Sequence, residues 1–89
     1  KIMYTPKFEK LAEKKIHKLI KQDRQRYEIL MKKIEEVILD PCRYKRLRGK
    51  MFGLCRVHIG KHFVLTFRLD YKNKEVVIVD FDHHDKIYR

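Results

Sequence analysis

The sequence predicts an α+β domain in which an N-terminal helical hairpin, preceded by a short strand, packs on a curved antiparallel sheet. Two observations predict it. Apolar residues recur every three to four positions up to Pro41 and every second position after it, and short breaks at Gln22-Asp23, Asp40-Pro41, Gly60-Lys61 and Asp70 to Asn73 divide the chain. Neither half can hide its apolar side alone, so helices and sheet must cover one another. The 89 residues suffice for a single domain spanning 1–89, without repeats or linker.

Ile2, Tyr4 and Phe8 suggest the N-terminal strand, and Thr5-Pro6 reads as a cap followed by proline in the first helical turn. Phe8, Leu11, Ala12, Ile16, Leu19 and Ile20 then form one apolar stripe. Gln22-Asp23 breaks the pattern, with Asp23 as N-cap of a second helix whose stripe is Tyr27, Leu30, Met31, Ile34, Val37 and Ile38. Asp40-Pro41 stops that helix, because the residue before proline disfavours helical geometry. The short break makes the two helices a hairpin, the alternative being one long helix with a polar interruption.

Beyond Pro41, Met51, Gly53, Cys55, Val57 and Ile59 share one strand face, and Phe52, Leu54, Arg56 and His58 the other. Gly60-Lys61 turns the chain into a strand alternating Phe63, Leu65, Phe67 and Leu69 with Val64, Thr66, Arg68 and Asp70. Asp70 to Asn73 turns it again into Glu75–Phe81, with Val77, Val79 and Phe81 opposite Val76, Ile78 and Asp80. If Cys55 and Val57 face the helices, Arg56 and His58 project from the open side. Thr66 or Arg68 lies beside them, depending on register.

Net charge is +11, and its distribution is uneven: residues 41–69 carry eight Lys or Arg and no carboxylate. A solvated helix face mixes signs, so this stretch points to a polyanion such as nucleic acid. Cys42 reads as a loop residue and Cys55 as a buried strand residue, a reduced and intracellular usage. The sequence contains no serine, no glycine-rich phosphate loop and no membrane-length apolar run. The histidines match no zinc spacing, so neither metal nor other cofactor is expected. Asp80 and Asp82 share a face if their strand extends far enough, and pairing with Lys or Arg, or binding a cationic partner, is their expected role.

Metal-free phosphate chemistry is compatible with this inventory. RNA carries its own nucleophile, the 2'-hydroxyl. A protein then supplies a base, an acid for the 5'-oxygen, and cations on the phosphoryl oxygens. Arg56 and His58 on a strand, Lys45, Arg46, Arg48 and Lys50 in the preceding loop, and His83, His84 and Tyr88 at the end are the candidates. Non-catalytic nucleic-acid or ribosome binding is equally compatible with them.

An opening "IMYTPKFEKLAEKK", the segment "YKRLRGKMFGLCRVHIGKHFVLTFRLD" and the closing "VVIVDFDHHDKIY" together resemble the RelE/ParE toxin superfamily, RelE-like branch, over nearly the whole chain. The resemblance implies a type II toxin that cleaves mRNA on the ribosome by 2'-hydroxyl attack, in the cytoplasm, silenced by a cognate RelB-like antitoxin. It implies phosphate stabilisation by Arg56, a catalytic histidine at His83 or His84, and a closing Tyr88 that is the base in some relatives. Lys45 and Arg46 fall in the RNA-holding loop, with Arg48, Lys50, His58, Arg68 and Arg89 as further RNA contacts. A second arginine of the family's middle strand is replaced here by Phe63-Val64-Leu65. The alternatives are a ParE-like inhibitor of DNA gyrase and a non-catalytic binding module.

Overall fold

The computed structural model describes residues 4–44, 46 and 53–87. In order they form β1 (Thr5–Phe8), α1 (Lys10–Gln22), α2 (Arg24–Leu39), a 3-10 turn (Pro41–Arg43), β2 (Cys55–Ile59), β3 (Phe63–Asp70), β4 (Glu75–His83) and the single-turn α3 (His84–Ile87). The expected strand positions of Ile2, Met51 and Phe52 lie outside the described residues. The strands make one sheet in the order β1-β4-β3-β2. The expected meander β2-β3-β4 is antiparallel, while β1 joins β4 in parallel, from Thr5 beside Glu75 to Phe8 beside Ile78. The sheet is therefore mixed.

The reading of Thr5-Pro6 as a helix start is corrected: both residues belong to β1, and α1 begins at Lys10. The amides of Thr5 and Glu9 donate to the carbonyls of Lys74 (2.9 Å) and Ile78 (3.0 Å). Because donors alternate along a strand, the Pro6 nitrogen faces away from β4, where its missing N–H leaves no ladder bond unmade. Glu9 becomes the N-cap residue of α1 without a side-chain cap bond. Its carboxylate instead meets Arg68 at 2.7 Å.

Asp23 is the one residue between the two helices, and it serves both. Its amide donates to Leu19 at the end of α1 (2.8 Å), and its carboxylate accepts from the Arg26 amide of α2 at 3.1 Å. Asp40, out of helical geometry before Pro41, ends α2 as expected. Ala12 and Ile16 of α1, with Leu30, Ile34 and Val37 of α2, bury against Cys55, Ile59, Leu65, Phe67, Val76, Ile78 and Phe81 of the sheet. Leu11, counted in the first apolar stripe, is 51% exposed. It lies one residue, about 100° of helix, from Ala12 and so off the buried face.

Phe67 holds the centre of this core. Fully buried, it stands between Cys55 and Ile78 in register and receives the edge of the Tyr44 ring at 5.9 Å. We expect Phe67→Ala to lower unfolding free energy by about 3–5 kcal/mol. Urea denaturation would register this as a lower midpoint at unchanged slope.

The alternation foreseen for β4 fails at one point. Phe67 pairs with Ile78 but Thr66 pairs with Asp80, so Val79 is an extra, bulged residue. The core face of β4 is consequently Val76, Ile78 and Phe81, so Phe81 shares a face with Val76 and Ile78 instead of lying opposite them. Asp80 and Asp82 then fall in the cross-strand rows of Arg56 and His58. The rows run Arg56–Thr66–Asp80 and His58–Val64–Asp82.

Candidate functional site

Cys55 and Ile59 are 2% and 4% exposed, which fixes the phase of β2 and turns Arg56 and His58 to the face opposite the helices. Burial pushes the Cys55 thiol up despite an opposing effect of Arg46, so the inward cysteine is a poor nucleophile. Register decides what lies beside Arg56: Thr66 is directly opposite. Arg68 lies one row further and its guanidinium is held by Glu9.

This face is not bare. Val64 and Thr66 sit on it, yet they are 0% and 1% exposed. The short α3 packs against β3 as well as β4, covering part of this face. The turn is anchored by a hydrogen bond of 2.6 Å from the His84 amide to the His62 carbonyl. That anchor separates the doubled histidine. The His84 ring lies over His58 at 5.8 Å with 21° between planes. The His83 ring instead stacks on His62 at 5.6 Å and meets the edge of Phe63 at 5.5 Å. Phe63 also stacks on Phe81 at 5.3 Å and lies under the Arg26 guanidinium at 4.1 Å. His83 thus belongs to an aromatic packing cluster, and His84 to the face of Arg56 and His58. Asp85 lies 3.8 Å from Nδ1 of each imidazole, beyond a direct hydrogen bond.

Of the basic loop, Arg46 is described. It bridges to the start of β2 at Cys55, donates to the Tyr71 hydroxyl and lies against that ring. Lys45, Arg48 and Lys50, together with Tyr88 and Arg89, lie outside the described residues. Among the described residues no group of three or more His, Cys, Asp or Glu is arranged to hold a metal ion. No helix among them is long and apolar enough to cross a membrane.

One feature near this face is legible only in part from the sequence. Lys15 Nζ of α1 donates to Asp80 Oδ1 at 2.7 Å and to Asp82 Oδ2 at 2.6 Å. The pairing of the two carboxylates with a lysine was expected; its identity was not. Burial opposes the ionised form of both Asp82 and Lys15. The bonds between them outweigh that, so Asp82 is held below the ordinary carboxylate range and Lys15 above the ordinary amine range. The signs follow by linkage. The Asp82 contribution to stability is complete above the unfolded carboxylate pKa and lost as pH falls through the lower folded value. The Lys15 contribution is complete below the unfolded amine pKa and lost as pH rises through the higher folded value.

The comparisons with known proteins agree with this architecture. A family model described as the ParE toxin of type II toxin–antitoxin systems, parDE, matches residues 2–88. A protein of Methanocaldococcus jannaschii named as a candidate toxin, RelE4, is 44% identical over 87 residues, 98% of this chain and 93% of that protein. An uncharacterized protein of Methanosarcina mazei is 44% identical over 86 residues, 97% of this chain and all of its own. Among solved structures, the RelBE2 toxin–antitoxin complex of Mycobacterium tuberculosis aligns with TM-score 0.79 and 25% identity, covering 93% of this chain and 100% of that one. The RelBE toxin–antitoxin complex of E. coli aligns at 0.72 and 25%, covering 88% and 93%. With helices, sheet and sequence all in agreement over nearly its full length, the chain belongs to the ParE toxin family of type II toxin–antitoxin systems, within the RelE/ParE superfamily.

Proposed function

We propose that this toxin is a ribosome-dependent endoribonuclease that cuts mRNA without a metal ion. The observation that carries the reading is the meeting of Arg56, His58 and His84 on one sheet face, built from β2 and the turn after β4. An RNA phosphate laid on that face meets a guanidinium suited to two of its oxygens and two imidazoles suited to proton transfer near neutral pH. One imidazole takes the proton of the 2'-hydroxyl as its oxygen attacks the adjacent phosphorus. The 5'-oxygen leaves with a proton from the acid, giving a 2',3'-cyclic phosphate and a 5'-hydroxyl. Arg56 stabilises the charge that grows on the non-bridging oxygens. We assign base and acid to His84 and His58, with Tyr88 as the alternative base. Lys45, Arg46, Arg48, Lys50 and Arg89 provide sequence-independent phosphate contacts.

The RelBE neighbours were solved as toxin–antitoxin complexes. A cognate RelB-like antitoxin is accordingly the expected partner, with an acidic segment complementary to the +11 charge. A ribosomal target implies action in the cytoplasm. The ParE description of the matching family favours a second reading, inhibition of DNA gyrase.

Primer extension on purified ribosomes carrying a defined mRNA, with chelator present, separates these readings. Cuts within the decoding site ending in cyclic phosphate support the proposal. Gyrase-dependent DNA breaks with intact mRNA support the second reading, and ribosome binding without either leaves a non-catalytic module.

A further inference from the structure

We infer that Lys15 is a positioning residue: by clasping Asp80 and Asp82 across the uncovered edge of β4, it sets the strand end from which His84 meets His58. The inference rests on the proposed function only for what the two imidazoles do. The positioning itself concerns the fold.

β1 accompanies β4 only to Ile78, after which the chain turns into α1. Among the described residues, the stretch from Val79 to His83 therefore has β3 on one side and no strand on the other. Such an edge frays unless something covers it. Here the strand covers itself. Asp80 Oδ1 accepts from the Phe81 amide and Asp82 Oδ1 from the His83 amide, each at 2.7 Å.

That arrangement places two carboxylates at positions i and i+2 on the same face, where their like charges repel. Lys15 supplies the counter-charge. α1 packs on the core face through Ala12 and Ile16, whereas the register puts Asp80 and Asp82 on the opposite face. Lys15 consequently reaches past the open edge, and its ammonium joins both carboxylates. The three groups are about three-quarters buried, with side chains 28%, 22% and 22% exposed, so solvent screens the clasp only in part. Lys86 of α3 adds a weaker positive influence on Asp82.

His84 follows immediately, and its ring position depends on the path of residues 80–83. The clasp also has an electrostatic consequence. Asp80 stands in the row of Arg56, two strands away, and Asp82 in the row of His58. Tied to Lys15, the carboxylates are kept from drawing the Arg56 guanidinium away from an RNA phosphate.

The test uses the full chain as Lys15→Met, Lys15→Arg, and Lys15→Met combined with Asp80→Asn and Asp82→Asn. Amide exchange at Phe81 and His83 is read by NMR, with the nuclear Overhauser contact between the His58 and His84 rings. Single-turnover cleavage and ribosome affinity are measured beside them. In Lys15→Met, amide protection should fall about tenfold. The ring contact should weaken, and cleavage slow by roughly 10- to 100-fold while ribosome affinity stays near wild type. Lys15→Arg should restore all three. The triple variant should recover most of the ring contact, because neutral amides no longer repel and their oxygens still accept the same N–H groups. A wild-type ring contact and protection in Lys15→Met would overturn the inference, as would a lost contact that arginine fails to restore. A wild-type protein that does not cleave would count against the functional reading alone, since the NMR results still decide the positioning.

Discussion

Arg56→Ala should leave the fold intact and slow single-turnover cleavage of ribosome-bound mRNA by about 1,000-fold, the scale of losing one preorganised charge at a phosphoryl or acyl transition state. The fold should survive because Arg56 projects from the face opposite the core, between the inward Cys55 and Val57. The rate should not if the proposed mechanism holds, because the charge assigned there to Arg56 grows only as the 2'-oxygen attacks. Arg56→Lys is expected to recover only part of the rate, since an ammonium keeps the charge but loses the planar fork. The distinguishing measurement is the thermal midpoint beside the cleavage rate. A folded Arg56→Ala protein with wild-type cleavage would remove Arg56 from the mechanism.

His84→Ala and His83→Ala should part company. Loss of His84 is expected to cost about 1,000-fold in rate, within the range for a general acid or base, with ribosome affinity little changed. Loss of His83 should act through packing instead, because its ring stacks on His62 and makes an edge contact with Phe63. Its expected effect is a loss of about 1–2 kcal/mol in unfolding free energy, read as a lowered denaturation midpoint, with a far smaller effect on rate. The pH profile gives an independent check. Cleavage by His83→Ala should keep the wild-type bell shape, whereas His84→Ala should lose one limb. The reverse pattern would assign the chemistry to His83, and two unaffected rates would move the base to Tyr88.

The helical hairpin was legible because its punctuation is local: Asp23 caps within three residues and Pro41 acts on the residue before it. The phase of β2 was legible because Cys55 and Ile59 bracket two polar side chains. Pro6 was misread because a proline suits a first helical turn and an edge strand equally. Carbonyls at Lys74 and Ile78, about 70 residues away in sequence, decide between them. Which of His83 and His84 lies over His58 was closed to sequence reasoning for a similar reason. It depends on the register of β4, the Val79 bulge and the anchor to His62. Lys15 was passed over as one lysine among many on α1. Its special position exists only because β1 stops short of the end of β4.

The bulge at Val79 also bears on how this sheet avoids folding wrongly. If β4 paired with β3 as a regular ladder beyond Ile78, every later side chain would change sides. Asp80 and Asp82 would enter the apolar interior, and Phe81 would be turned out to water. Burying two carboxylates away from Lys15 costs several kcal/mol each. The mispaired sheet thus betrays itself energetically as soon as the helices close over it. One bulged residue acts as a proofreading mark, admitting a single alignment of the strand that leads into His84.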